Sequence, residues 1–142
     1  MKQLVAILLL MSALTLSGSE VARVKILEKI LLNIRLEKPL VVWIDNKELA
    51  EEFKRSTAIP TTQNCQNSTL LILENKAHLK DECEDKPIFV LDYSLLKDMP
   101  QSFGAMFWKK ARPNIVIIAP RAKKLSIETT KSLDDFIEDK IW

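Results

Sequence analysis

Apolar residues along this chain follow two rhythms. From Val24 to Ile34 they recur three and four positions apart, at Val24, Leu27, Leu31 and Ile34, with Ile26 and Ile30 widening the stripe. Arg23, Lys25, Glu28, Lys29 and Arg35 fall on the other side. That period predicts an amphipathic helix from Ser19 or Glu20 to about Leu36, and Pro39 blocks its continuation. The rhythm then changes to short unbroken runs: Leu40 to Ile44, Leu70 to Leu73 and Ile88 to Leu91. Runs of this length without alternation predict strands buried on both faces, as in a parallel sheet.

The segments between the runs are polar. Asp45-Asn46 suits a turn or N-cap before a short helix, Lys47 to Lys54. Ser56 to Ser68 reads as a loop and Ala77 to Cys83 as helical. Asp92-Tyr93-Ser94 caps a short helix ending near Met99-Pro100. Gly104 to Lys109 and Asn114 to Ile118 are two further strands, and Lys110-Ala111-Arg112-Pro113 is short enough to join them as a hairpin. Pro120 stands where a helix starts. Ser126 to Ile141 reads as a last amphipathic helix through Leu133, Phe136, Ile137 and Ile141. Strands alternating with helices predict an α/β fold. The expected form is a single compact domain with a mostly parallel sheet of about five strands, a late antiparallel hairpin, and helices on both faces.

The first residues do not belong to that domain. Lys2 precedes an apolar run from Leu4 to Leu16, broken only by Ser12 and Thr15, and small residues follow at Ser17-Gly18-Ser19. This is the layout of a secretory signal peptide. A membrane-spanning anchor needs roughly 20 predominantly apolar residues, more than this run supplies. Residues 1–19 are therefore expected to be cleaved, with an uncleaved anchor as the other reading, leaving residues 20–142 as one α/β domain outside the cytoplasm.

Charge narrows the partners. The chain carries +2 at neutral pH, and loss of Lys2 leaves +1. That is no basis for nucleic-acid binding. Two glycines in 142 residues exclude the Gly-rich loops that cradle phosphates or dinucleotides. Cys65 and Cys83 are the only cysteines. In an oxidising compartment an even count favours a disulfide, as a staple or a redox switch, with two free thiols as the other reading.

The residues carry little sign of catalysis. His78, the single histidine, lies between Lys76 and Lys80 and reads as a solvent-exposed helix residue. Cys65, His78 and Cys83 match no zinc-ligand spacing, and no Gly-x-Ser-x-Gly turn is present. Asp134-Asp135 and Glu82-Glu84-Asp85 read as solvated faces. No enzyme activity, cofactor or metal is expected. One segment suits an interface. Phe103 to Pro113 sets three aromatic residues around Gly104 and then a basic cluster. Phe103, Met106 and Phe107 read as core, with the cations on the turn. On the functional reading, Phe107, Trp108 and Arg112 form a partner-binding face, since Trp and Arg are enriched at interface hot spots. Arg121, Lys123 and Lys124 would extend it with Lys109, Lys110 and Arg112 into one positive patch.

A resemblance follows from motifs spread over the chain. They are the opening helix Val24 to Ile34, the strand Val41-Val42-Trp43-Ile44 ending at Asp45, and Cys65 ahead of Leu70-Leu71-Ile72-Leu73. Lys86-Pro87-Ile88-Phe89-Val90-Leu91, Gly104-Ala105-Met106-Phe107 and Leu125-Ser126-Ile127 complete them. In these the chain resembles the YfiR/HmsC-like family of small periplasmic regulators. It departs from the family at Ala105, where a second glycine is usual, and at Ala119-Pro120-Arg121. The cysteine often found in the first strand is missing, so the family's disulfide pattern carries over only to Cys65. The resemblance implies a non-catalytic periplasmic protein that binds the periplasmic domain of an inner-membrane sensor or diguanylate cyclase and holds it inactive. It would reach the membrane only through that partner, and a homodimer is allowed. The alternative is a small periplasmic solute-binding module serving a transporter or sensor kinase. Asp45-Asn46 and Asp92-Tyr93, at the carboxyl ends of strands, would then line its pocket.

Overall fold

The computed structural model describes residues 20–141. The signal-peptide reading of residues 1–19 lies outside the described residues. Helix α1 covers residues 20–31 and lays Val24, Leu27, Ile30 and Leu31 into the core. It stops short of Leu36 because the following backbone is recruited elsewhere. β1 (Ile34–Arg35) pairs antiparallel with β7 (Glu128–Thr129), and Thr130 ties to Asn33 through both backbone and side chain. The Asn33 side chain also donates to the Lys29 carbonyl at 2.7 Å, capping the helix end.

The main sheet has six strands in the order β2-β3-β4-β5-β6-β8. These are β2 (Val42–Ile44), β3 (Leu70–Leu73), β4 (Ile88–Val90), β5 (Ser102–Lys109), β6 (Arg112–Ile118) and β8 (Ile137–Glu138). β2 to β5 are parallel, β5 and β6 form the antiparallel hairpin, and β8 joins β6 in parallel. The expected α/β fold, parallel sheet and late hairpin are thus present. β3 is buried on both faces throughout, which is why its sequence shows no alternation.

Two cores flank the sheet. On one face α1 and α2 (Lys47–Ser56) pack on Val42, Ile44, Leu70, Ile72 and Phe89. Asn46 caps α2 by accepting from the Leu49 N–H, and Thr57 ends it with two hydrogen bonds to the Phe53 carbonyl. On the other face α3 (Tyr93–Asp98) and two 3-10 turns, Cys65–Asn67 and Asp81–Cys83, pack on Leu71, Leu73, Ile88 and Val90. Cys65 and Cys83 form a disulfide buried within this second core. A short helix α4 (Ala119–Lys124) follows β6, with Pro120 in its first turn as expected.

β5 carries an extra residue against β4, so that Phe103 and Gly104 both meet Phe89. A methyl group on Gly104 would lie 2.7 Å from the Val116 carbonyl and 3.0 Å from the Phe89 ring. Glycine is required there by close packing.

Two helical expectations fail. Ala77 to Cys83 is a pair of 3-10 turns, Lys76–His78 and Asp81–Cys83. Ser126 to Ile141 is no helix either: Ser126 has φ 59°, then come β7, a 3-10 helix Lys131–Phe136, and β8. Buried Ile127 and buried Leu133 stand six positions apart, which is off the three-and-four spacing of one continuous helical stripe, and the free edge of β6 takes Ile137 instead. Among the described residues no helix is long and apolar enough to cross a membrane.

Candidate functional site

The first three parallel strands each end in a carboxylate: Asp45 after β2, Glu74 after β3, and Asp92 just past β4. The chain leaving β2 enters α2 on one face, and the chain leaving β3 crosses to the opposite face. The loops part at that point, and a crevice opens between them. This is the place where α/β sheets most often hold ligands. An open crevice of about 790 Å³ lies here, lined by the loops after β2 and β3, among them Asp45, Lys47, Glu74, Lys76 and His78, and by the stretch from Leu91 to the end of α3 at Asp98.

Asp45 organises the crevice. Its side chain has no solvent exposure. It accepts the backbone N–H groups of Glu74 and Asn75 at 2.9 Å each, and Nδ1 of His78 at 2.9 Å. A carboxylate only accepts, so the Asp45 contact places the proton on Nδ1 and turns Nε2 outward. Glu74 Oε2 in turn accepts from Asn46 at 2.7 Å and from Arg23 at 3.2 Å, which ties the start of α1 to the loop after β3. Asp92 caps α3 by accepting the Ser94 N–H and hydroxyl at 2.9 Å each. His78 is half exposed, as expected, but its ring is held by a buried acid.

The β5–β6 hairpin rises beside the crevice. β5 runs parallel to β4 and continues past it, so residues Met106 to Lys109 pair only with β6. Side chains alternate there. Phe107 turns to the disulfide face and packs on Tyr93, ring centroids 5.2 Å apart. Trp108 turns to the opposite face beside Met106, Leu91, Arg23 and Glu74, and is 47% exposed. Lys109, Lys110 and Arg112 are exposed at the tip. The expected partner face of Phe107, Trp108 and Arg112 therefore lies on one hairpin but not on one surface: Phe107 anchors it, while Trp108 and the cations are presented to solvent.

The larger positive patch does not form. β6 is seven residues long, so α4 lies about 20 Å from the hairpin tip, at the other end of the strand. Arg121 is also turned inward. Its Nη1 donates to the carbonyls of Leu96, Met99 and Ser102 at 2.7, 3.2 and 3.0 Å, holding the end of α3 against the start of β5. Burial pushes its pKa below the ordinary guanidinium value.

The disulfide removes both cysteines as metal ligands. No cluster of three or more His, Cys, Asp or Glu among the described residues is arranged to hold a metal. Asp45, Asn46 and Asp92 do line the crevice, as expected for a solute pocket; Tyr93 instead packs on Phe107. Sequence reading missed Lys47, Glu74, Lys76 and the Asp45–His78 contact. The legible signal was the repeated ending of a buried strand in an acid, at Ile44-Asp45, Leu73-Glu74 and Leu91-Asp92.

Comparison of the chain with models of protein families, with curated proteins and with solved structures found no match.

Proposed function

We propose that this protein is a non-catalytic binding protein of the periplasm, released from its signal peptide, that recognises the periplasmic domain of an inner-membrane signalling protein and represses it. The resemblance to YfiR/HmsC-like regulators names a diguanylate cyclase as that partner. The observation that carries the reading is the hairpin, which extends past β4 and presents exposed Trp108 with Lys109, Lys110 and Arg112. An exposed tryptophan beside cations that form no ion pair among the described residues suits recognition of an acidic protein surface with a hydrophobic centre. Its base is fixed by the Phe107–Tyr93 contact, so little side-chain freedom at that base would be lost on binding. The buried Cys65–Cys83 bond fits an oxidising compartment.

The test is affinity capture from solubilised membranes with the wild-type protein and a Trp108→Ala variant. The expected result is one inner-membrane protein with a periplasmic domain, enriched by wild type and depleted with the variant. Equal capture by both would remove the hairpin from recognition. The crevice supports the second reading, a solute-binding module, because Asp45, Asn46 and Asp92 line it at the carboxyl ends of β2 and β4.

A further inference from the structure

The acids and the cations of the crevice are employed differently. Asp45 accepts three N–H groups, Glu74 accepts from Arg23 and Asn46, and Asp92 accepts twice from Ser94. Each of these carboxylates is committed to holding a loop or a helix end. Lys47 and Lys76 line the same crevice, one opening α2 and the other following β3. Neither ammonium group has a hydrogen bond or ion pair among the described residues, although acids surround them. Of the crevice acids, only the Asp98 side chain has no partner among the described residues.

We propose that the crevice is an anion-binding site, taking a carboxylate or phosphate group of a small solute between Lys47 and Lys76. This deepens the solute-binding reading and rests on the crevice alone, not on the hairpin. The committed acids leave the two ammonium groups as the free hydrogen-bond donors that face the cavity. An anion placed between them gains two charge-assisted contacts without breaking the Asp45 network. Leu91 and Leu95 supply an apolar wall for the body of the solute. A metal ion is the poorer occupant, because the acids' oxygens are already engaged and no cluster of three ligands exists among the described residues.

Isothermal titration of the purified secreted protein with inorganic phosphate, and separately with succinate, tests this. Saturable one-to-one binding of at least one probe is expected. Phosphate alone points to a phosphorylated solute, succinate alone to a carboxylate, and both to a general anion site. Lys47→Gln with Lys76→Gln should weaken binding by about tenfold with an unchanged melting temperature. Each single variant should weaken it by less. Trp108→Ala should bind the probe as wild type does, which separates this site from the partner reading. Absence of saturable binding for both probes up to about 10 mM, or unchanged affinity in the double variant, would overturn the proposal.

Discussion

At the tip of the hairpin, Lys110 and Ala111 adopt φ of 52° and 61°. A two-residue hairpin loop of this twist needs positive φ at both positions, which is why Asn-Gly is the common choice. Here two ordinary L-residues take it, at about 1–2 kcal/mol each. The Ala111→Gly variant should therefore be more stable by about 1 kcal/mol in urea unfolding, after the entropy of glycine is set against the relieved strain. A loss of stability would show that the tip does not hold this turn. Asp45 makes the opposite case. In Asp45→Asn one acceptor oxygen becomes an amide donor facing N–H groups, so a loss of about 2 kcal/mol is expected, with faster amide exchange at Glu74 and Asn75. Little of this residue detail was legible beforehand. Asp45 was recognised as an end-of-strand acid, but its contact with His78 depends on how the loop after β3 folds back. Arg121 looked like a surface cation because its three carbonyl partners come from α3 and its neighbours, some 20 positions earlier.

Among the elements, those set by local pattern were legible. β2, β3 and β4 are short apolar runs, and α2 and α3 begin at Asn46 and Asp92, whose side chains cap them. The elements that failed are those decided by distant partners. α1 ends early because β1 pairs with β7, nearly a hundred residues away, and the C-terminal segment leaves the helical state to fill the edge of β6. The disulfide acts at this scale. It joins the 3-10 turn Cys65–Asn67 ahead of β3 to the turn Asp81–Cys83 ahead of β4, across a separation of 18 residues. Closing a loop of that length contributes on the order of 3 kcal/mol. The double variant Cys65→Ala, Cys83→Ala should lose about that much in denaturant unfolding, and a change under about 1 kcal/mol would show that the second core holds these turns without it.

In the whole molecule, both candidate surfaces share one end of the sheet. Parallel β2, β3 and β4 bring three strand-end acids to the crevice, and β5 carries the hairpin past it on the same side. Glu74 borders both, facing the crevice with Asn46 and the hairpin with Arg23 and Trp108. The opposite end holds α4 with exposed Lys123 and Lys124. The account therefore predicts recognition at one end only. The most direct test places a photo-crosslinking benzophenone residue at position 108 in one variant and at position 124 in another, and illuminates living cells that secrete each. The expected result is a crosslink from position 108 to a single inner-membrane protein and none from position 124. No crosslink from position 108, or the same product from both positions, would contradict it.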